Sequence, residues 1–139
     1  MNGNRTFTMI KPSAFKSGYT GKILGEIEKE GFRIIALKLI QLTQFQAGKF
    51  YEIHKGKPFY DALVGFMSSG PIVAAILEKE NAVESFRQFI GSTDPSKAAK
   101  GTIRNLYGKN LTENAIHGSD TDENANIEGN FFFSQTELS

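Results

Sequence analysis

Ile72-Val73-Ala74-Ala75-Ile76-Leu77 is a continuous apolar run, closed in front by Ser69-Gly70-Pro71. A run this short between turn signals reads as a buried strand. Its neighbours on both sides supply the rest of a frame. Upstream, Arg5 to Lys11 (RTFTMIK) alternates and ends at Pro12, the pattern of a first strand stopped by proline. Thr20 to Gly31 carries Ile23, Leu24 and Ile27 on one face with charges opposite, an amphipathic helix closed by Gly31. Phe32 to Gln41 (FRIIALKLIQ) is apolar and β-rich, a second strand. Thr43 suits the cap of a helix running to about His54, and Phe59 to Ser68 forms a second short helical pattern. Downstream, Asn81 suits the cap of a helix to Ile90. Gly91 to Asn110 holds few large apolar residues and reads as a long loop with one helical turn at Thr102 to Leu106. A loop of that length is usually functional or mobile. Thr121 to Glu128 reads as a helix with an acidic first turn, and Phe131-Phe132-Phe133 as the last strand.

The resulting order is β-α-β-(α-α)-β-α-loop-α-β. Its core is the βαββαβ frame of an α+β fold, a four-stranded antiparallel sheet with helices on one face. A helical pair is inserted between the second and third strands. No repeat, linker or low-complexity block interrupts the chain, so the 139 residues read as a single domain spanning 1–139.

Composition narrows the function. The formal net charge is +1, which gives no bulk electrostatic reason to expect nucleic acid or a membrane surface as partner. The absence of cysteine excludes disulfides, thiolate metal sites and cysteine nucleophiles, and agrees with a reducing cytoplasm. Met1 to Thr6 has no apolar core of the kind a signal peptide needs, and no apolar run approaches a membrane span. Twelve phenylalanines and no tryptophan imply a core built on Phe, Ile and Leu.

The stretch Asn114-Ala115-Ile116-His117-Gly118-Ser119-Asp120 holds the chemistry. Imidazole is a neutral nucleophile near pH 7, and Gly118 removes bulk beside the ring. Ser119 and Asp120 suit the cap of a following helix, whose N-terminus would welcome an anion. Basic groups occur where elements end: Lys11 after the first strand, Arg87 on the helix before the long loop, Arg104 within it, with the Thr93 hydroxyl nearby. Lysine offers a point charge and arginine a planar fork for phosphate oxygens, although each alone reads first as a solvated surface charge. Glu128, eleven residues after His117, reads as an orienting carboxylate for one ring nitrogen or as a helix-surface group. Phe59 reads as core or as a stacking plate for a base, and Tyr51 as an interior aromatic or as part of the site.

Other motifs fail. Gly18-Tyr19-Thr20-Gly21-Lys22-Ile23 lacks the spacing and the hydroxyl of a Walker loop. Asp120, Asp122 and Asn124 resemble a calcium loop, but its sixth and twelfth positions are Ala125 and Phe131. His54 has no second ligand at metal spacing, and no Gly-x-Ser-x-Gly elbow is present.

Asn114 to Asp120 (NAIHGSD) resembles the active-site signature of nucleoside diphosphate kinases. Thr6 to Pro12 resembles that family's opening strand, and Ser69-Gly70-Pro71 and Gly101-Thr102-Ile103-Arg104 resemble further landmarks in the same order. The resemblance covers nearly the whole chain and implies a ferredoxin-like sandwich. It implies transfer of the γ-phosphate of a nucleoside triphosphate such as ATP or GTP to a nucleoside diphosphate. The transfer is ping-pong through a phosphohistidine at His117, with little base specificity. It implies Glu128 on the non-reacting ring nitrogen, supported by Ser119. Lys11, Arg87, Thr93 and Arg104 become a phosphate clamp, with Lys11 also reaching the ribose. Asn114 becomes a ribose contact, Phe59 the base plate, and Tyr51 a neighbour of Lys11. Magnesium arrives on the nucleotide's phosphates, so no protein side chain need ligate it.

Two positions depart from the pattern: Lys100 where proline often precedes Gly-Thr-Ile-Arg, and Thr121 for a usual serine. The chain also ends at Ser139, without the longer tail of many eukaryotic relatives. The family's homo-oligomer carries over, as a tetramer or a hexamer. A catalytically silent nucleotide-binding or protein-interaction module of the same fold is the alternative. A ferredoxin-like RNA binder is disfavoured by the near-neutral charge and the missing Lys/Arg-Gly-Phe motif.

Overall fold

The computed structural model describes residues 3–138. The readings of Met1–Thr6 and of the chain end at Ser139 therefore lie partly outside the described residues. Among the described residues, four strands form one antiparallel sheet: β1 (Arg5–Ile10), β2 (Arg33–Ile40), β3 (Ile72–Glu78) and β4 (Ile116–Gly118), in the order β2-β3-β1-β4. This is the ferredoxin-like arrangement expected. The helices are α1 (Pro12–Lys16), α2 (Thr20–Lys29), α3 (Gln44–Phe50), α4 (Tyr60–Met67), α5 (Ala82–Ile90), α6 (Ile103–Tyr107) and α7 (Asp122–Phe132), with 3-10 turns at Glu52–His54, Pro95–Lys97 and Gln135–Leu138. No described helix is long and apolar enough to cross a membrane.

β3 is apolar because it lies inside the sheet and both of its faces are covered. Side chains alternate across a strand, so its residues divide between two cores. Val73, Ala75 and Leu77 join Ile23, Ile27, Phe86 and Ile90 from α2 and α5. Ile72, Ala74 and Ile76 join Ala47, Met67 and Phe132 from α3, α4 and α7. The crossover helices α2 and α5 take one face, and the inserted pair with α7 closes the other. The expectation of helices on one face thus describes only half of the sandwich.

Local signals account for several boundaries. Thr43 and Gln46 form a reciprocal cap at the start of α3: Gln46 N donates to Thr43 Oγ1 at 3.1 Å and Thr43 N to Gln46 Oε1 at 3.0 Å. Pro12 ends β1 and also opens α1, since proline tolerates the first helical turn. Asn81 precedes α5 in the left-handed region (φ 52°, ψ 50°) and makes no side-chain cap bond. Asparagine adopts that conformation at less cost than most residues.

The end of the chain departs from the sequence reading. Phe131-Phe132-Phe133 is not a strand; Phe131 and Phe132 complete α7 and Phe133 follows as its cap. Buried Ala125, Gly129 and Phe132 recur at helical spacing, and Phe132 continues that face. A three-residue aromatic run carries no periodicity that could separate helix from strand. The fourth strand is instead Ile116-His117-Gly118, paired with β1 and too short to show alternation. The histidine therefore sits on the sheet, and the final helix follows the last strand.

Candidate active site

β4 carries His117 opposite Met9 of β1. Consecutive carbonyls along this segment are each engaged. Lys11 N donates to Ala115 O at 2.8 Å, Arg104 Nη2 to Ile116 O at 2.9 Å, and Thr8 Oγ1 to His117 O at 2.8 Å. Buried Ala115 enters β4 with φ 77°, which costs a non-glycine residue of order 1 kcal/mol and is held by this packing. A Cβ on Gly118 would approach Ile90 Cδ1 and Phe86 Cδ2 at 3.0 Å, so the strand lies tight against α5.

The imidazole is seated from several sides. The Phe7 ring lies 5.9 Å from it and the Phe50 ring 5.8 Å, the latter edge-on at 81°. Nε2 lies 2.9 Å from Glu128 Oε1, on the second turn of α7. Ser119 Oγ donates to the same oxygen at 2.5 Å, with Phe7 O a second acceptor in reach at 3.4 Å. The cap of α7 is Thr121, whose Oγ1 accepts from Asn124 N at 3.0 Å. Ser119 is therefore not the helix cap expected of it, and Asp120 accepts from the Asn124 side chain at 2.7 Å. What α7 brings to the histidine is a carboxylate.

His117 opens into a cleft of about 610 Å³ that Lys11, Tyr51, Phe59, Arg87, Thr93, Arg104, Asn114 and Glu128 also line. The structure thus brings nine of the ten expected site residues to one cavity, and the tenth, Ser119, lies behind Glu128. Phe50, Leu63 and Leu111 line it too and escaped the sequence reading, and so do His54, weighed there only as a metal ligand, and Asp120, read there as a helix cap. Phe50 follows the buried face of α3 by position, which is the one signal that could have found it. The leucines resemble ordinary core residues until the fold exposes them.

The electrostatics suit an anion. Lys11 is 7 % exposed, and its Nζ donates to Thr112 O at 3.3 Å. Burial, then the neighbouring Arg104 charge, push its pKa down to about 7. Arg104 donates Nη1 to Gly91 O at 3.0 Å; burial and the Arg87 charge bring its pKa down to about 10, so it stays cationic at neutral pH. Burial, with the Glu128 charge second, raises the Tyr51 phenol well above its ordinary value. Asn114 Nδ2 donates to Thr93 O at 3.1 Å, linking the loop to the entry of β4.

Among the described residues, Tyr51 Oη, Arg104 Nε and Asn114 Oδ1 are buried without a hydrogen-bond partner. Such atoms typically cost about 1–3 kcal/mol each. Thr6 and Thr20 each hold one such atom away from the cleft, so three of the five lie on residues that line it, where a polar ligand could satisfy them. No group of three or more His, Asp or Glu among the described residues is arranged to hold a metal ion.

The comparisons with known proteins converge. Residues 4–138 match the family model described as Nucleoside diphosphate kinase. The chain is 58% identical over 137 residues to a nucleoside diphosphate kinase of Flavobacterium psychrophilum, covering 99% of each chain. Among solved structures, that of the Aquifex aeolicus nucleoside diphosphate kinase superposes with a TM-score of 0.95 at 45% identity, covering 98% of this chain and 99% of that one. The Halobacterium salinarum nucleoside diphosphate kinase, solved in complex with CDP, gives 0.94 at 38% identity, covering 99% and 92%. The histidine cleft lies within the matched region, and the chain belongs to the nucleoside diphosphate kinase family.

Proposed function

We propose that the chain, as one domain over 1–139, moves the γ-phosphate of a nucleoside triphosphate to a nucleoside diphosphate through a phosphohistidine at His117. The observation that carries this reading is one cleft joining His117, engaged through Nε2, to Lys11, Arg87 and Arg104. With Nε2 on Glu128, Nδ1 is the nitrogen left to attack. Its lone pair forms the N–P bond as the bond from the γ-phosphorus to the bridging oxygen breaks, and the nucleoside diphosphate leaves with that electron pair. A second diphosphate then takes the phosphoryl group back from the ring. Glu128 accepts the Nε2–H bond and balances the positive charge that develops on the ring. Ser119 holds Glu128 in place.

Lys11, Arg87, Thr93 and Arg104 neutralise and orient the phosphates, so the transferring group meets preorganised donors. Asn114 and Lys11 bind the ribose, and Tyr51 supports Lys11. Phe59, 47 % exposed, stacks on the base. A stacking plate touches the π-face common to all bases, which supports wide base tolerance for ATP, GTP and other nucleotides. Magnesium, arriving with the nucleotide and needing no side chain of this protein as ligand, would add charge neutralisation to that of Lys11, Arg87 and Arg104. A cytoplasmic enzyme would meet the nucleotide pool that such a reaction balances.

A homo-oligomer, tetramer or hexamer, belongs to the same reading. Edge strand β2 exposes Leu37 (52 %) and Leu39 (63 %), and an exposed apolar edge strand is a pairing surface. Light scattering on the purified protein reads the assembly directly. The chemistry is tested with γ-labelled ATP: wild type acquires acid-labile label, and His117→Gln acquires none. Labelling and turnover that persist in His117→Gln would sink the proposal.

A further inference from the structure

Arg87 and Arg104 are like charges that must stand close enough to share one phosphate chain. Gly91 contacts both residues, Arg87 through its main-chain carbonyl and Arg104 through its side chain. Its N–H donates to Arg87 O at 3.1 Å, closing α5, and its carbonyl accepts from Arg104 Nη1 at 3.0 Å. Gly91 has φ 91° and ψ −177°, a region of backbone space essentially reserved for glycine. Space is as restrictive as conformation. A Cβ at Gly91 would stand 2.5 Å from Thr102 Oγ1 and 2.8 Å from Thr102 Cβ.

Thr102 in turn governs Arg104. It is the N-cap of α6, accepting from Asn105 N at 3.3 Å, and its hydroxyl donates to Ala99 O at 2.8 Å. Arg104 is the second residue of that helix. From there its guanidinium spans Gly91 O on one side and Ile116 O, beside His117, on the other. The close approach of Gly91 to Thr102 sets where α6 begins, and therefore where the guanidinium lies.

We infer that Gly91 is a positioning residue: it holds the Arg104 guanidinium beside Arg87 and next to the His117 strand before any nucleotide arrives. Gly91 touches no phosphate itself. It supplies a carbonyl to Arg104 and the room for Thr102 that a side chain would take away. The inference rests on the proposed kinase reading for its probe and for the phosphate chain that the two arginines share.

The test is a double-mutant cycle on the full-length protein, with Gly91→Ala, Arg104→Met and the double variant. ADP dissociation constants are measured by calorimetry, with Gly25→Ala, whose Cβ would meet open space, as the control glycine. Gly91→Ala is expected to weaken ADP binding about tenfold when Arg104 is present and by less than about twofold when it is absent. KM for the diphosphate should rise with it, while a general loss of folded protein would lower the fraction of active sites and leave KM unchanged. Equal losses in both backgrounds overturn the inference, as does unaltered affinity in Gly91→Ala. Should Gly91→Ala fail to fold, Thr102→Val replaces it in the cycle. That variant keeps Gly91 and removes the hydroxyl that caps α6, and the same two outcomes decide. If wild type binds ADP but forms no phosphohistidine, the kinase reading falls while the cycle still reports on Gly91.

Discussion

Glu128 Oε1 lies 2.9 Å from Nε2 of His117 and accepts from Ser119 Oγ as well. One carboxylate oxygen therefore holds the ring's orientation, and in the proposed reaction it leaves Nδ1 as the nitrogen that attacks. Glu128→Gln keeps the shape and removes the charge. Phosphohistidine formation should fall about 10- to 100-fold while ADP affinity changes by less than about twofold. Rapid-quench labelling with γ-labelled ATP measures the first and calorimetry the second. An unchanged labelling rate would show that the carboxylate charge is idle.

Ser119 is fully buried and spends its hydroxyl on Glu128. Ser119→Ala leaves that carboxylate with one donor fewer. Stability should drop by about 1–2 kcal/mol, read from denaturant unfolding, and phosphohistidine formation should slow with it. A variant that loses stability yet labels at the wild-type rate would separate the hydroxyl from the chemistry.

Lys11, with its pKa pushed down to about 7 by burial, is the group that makes nucleotide binding depend on pH. At pH values well below that, it is charged both before and after binding. Above it, the free protein holds Lys11 largely neutral, and nucleotide phosphates favour the ammonium. Binding at about pH 8 should then take up close to one proton, and affinity should weaken as pH rises further, because linkage ties proton uptake to the slope. Calorimetry in buffers of different ionisation enthalpy counts the protons. Lys11→Met should bind without that uptake; the same uptake in the variant would assign the proton elsewhere.

Phe59 stands at the outer end of the cleft with its ring 5.3 Å from that of His54 and Lys57 Nζ 5.8 Å from its centroid. Phe59→Ala should weaken purine and pyrimidine diphosphates alike, by about 1–3 kcal/mol, the usual worth of a base stacked on an aromatic ring. The ratio of ADP to CDP affinity should stay within about twofold of wild type. A loss confined to one base class would mean that a base edge is being read.

Much of this molecule is legible in one dimension. The buried strand at Ile72–Leu77, the α2 stripe and the Thr43 cap all follow from periodicity and capping, which act over a few residues. His117, the basic residues and the Gly-Thr-Ile-Arg run could likewise be named from residue types and order. The chain end could not be read this way. Ile116–Gly118 is a strand because β1 offers it a free edge, and Phe131 and Phe132 are helical because Ala125 and Gly129 set the buried face they continue. Neither cause is local.

The sequence by itself determined the first three strands, the main helices between them and the residues able to carry phosphate chemistry, because these depend on short-range pattern and side-chain type. Only the tertiary structure decided that Ser119 serves Glu128 and does not cap the helix, that Nε2 is the nitrogen engaged, and that Gly91 stands between two arginines. Those relationships join residues from different elements, and only the packing of α5, α6 and α7 around β4 brings their atoms within hydrogen-bond distance.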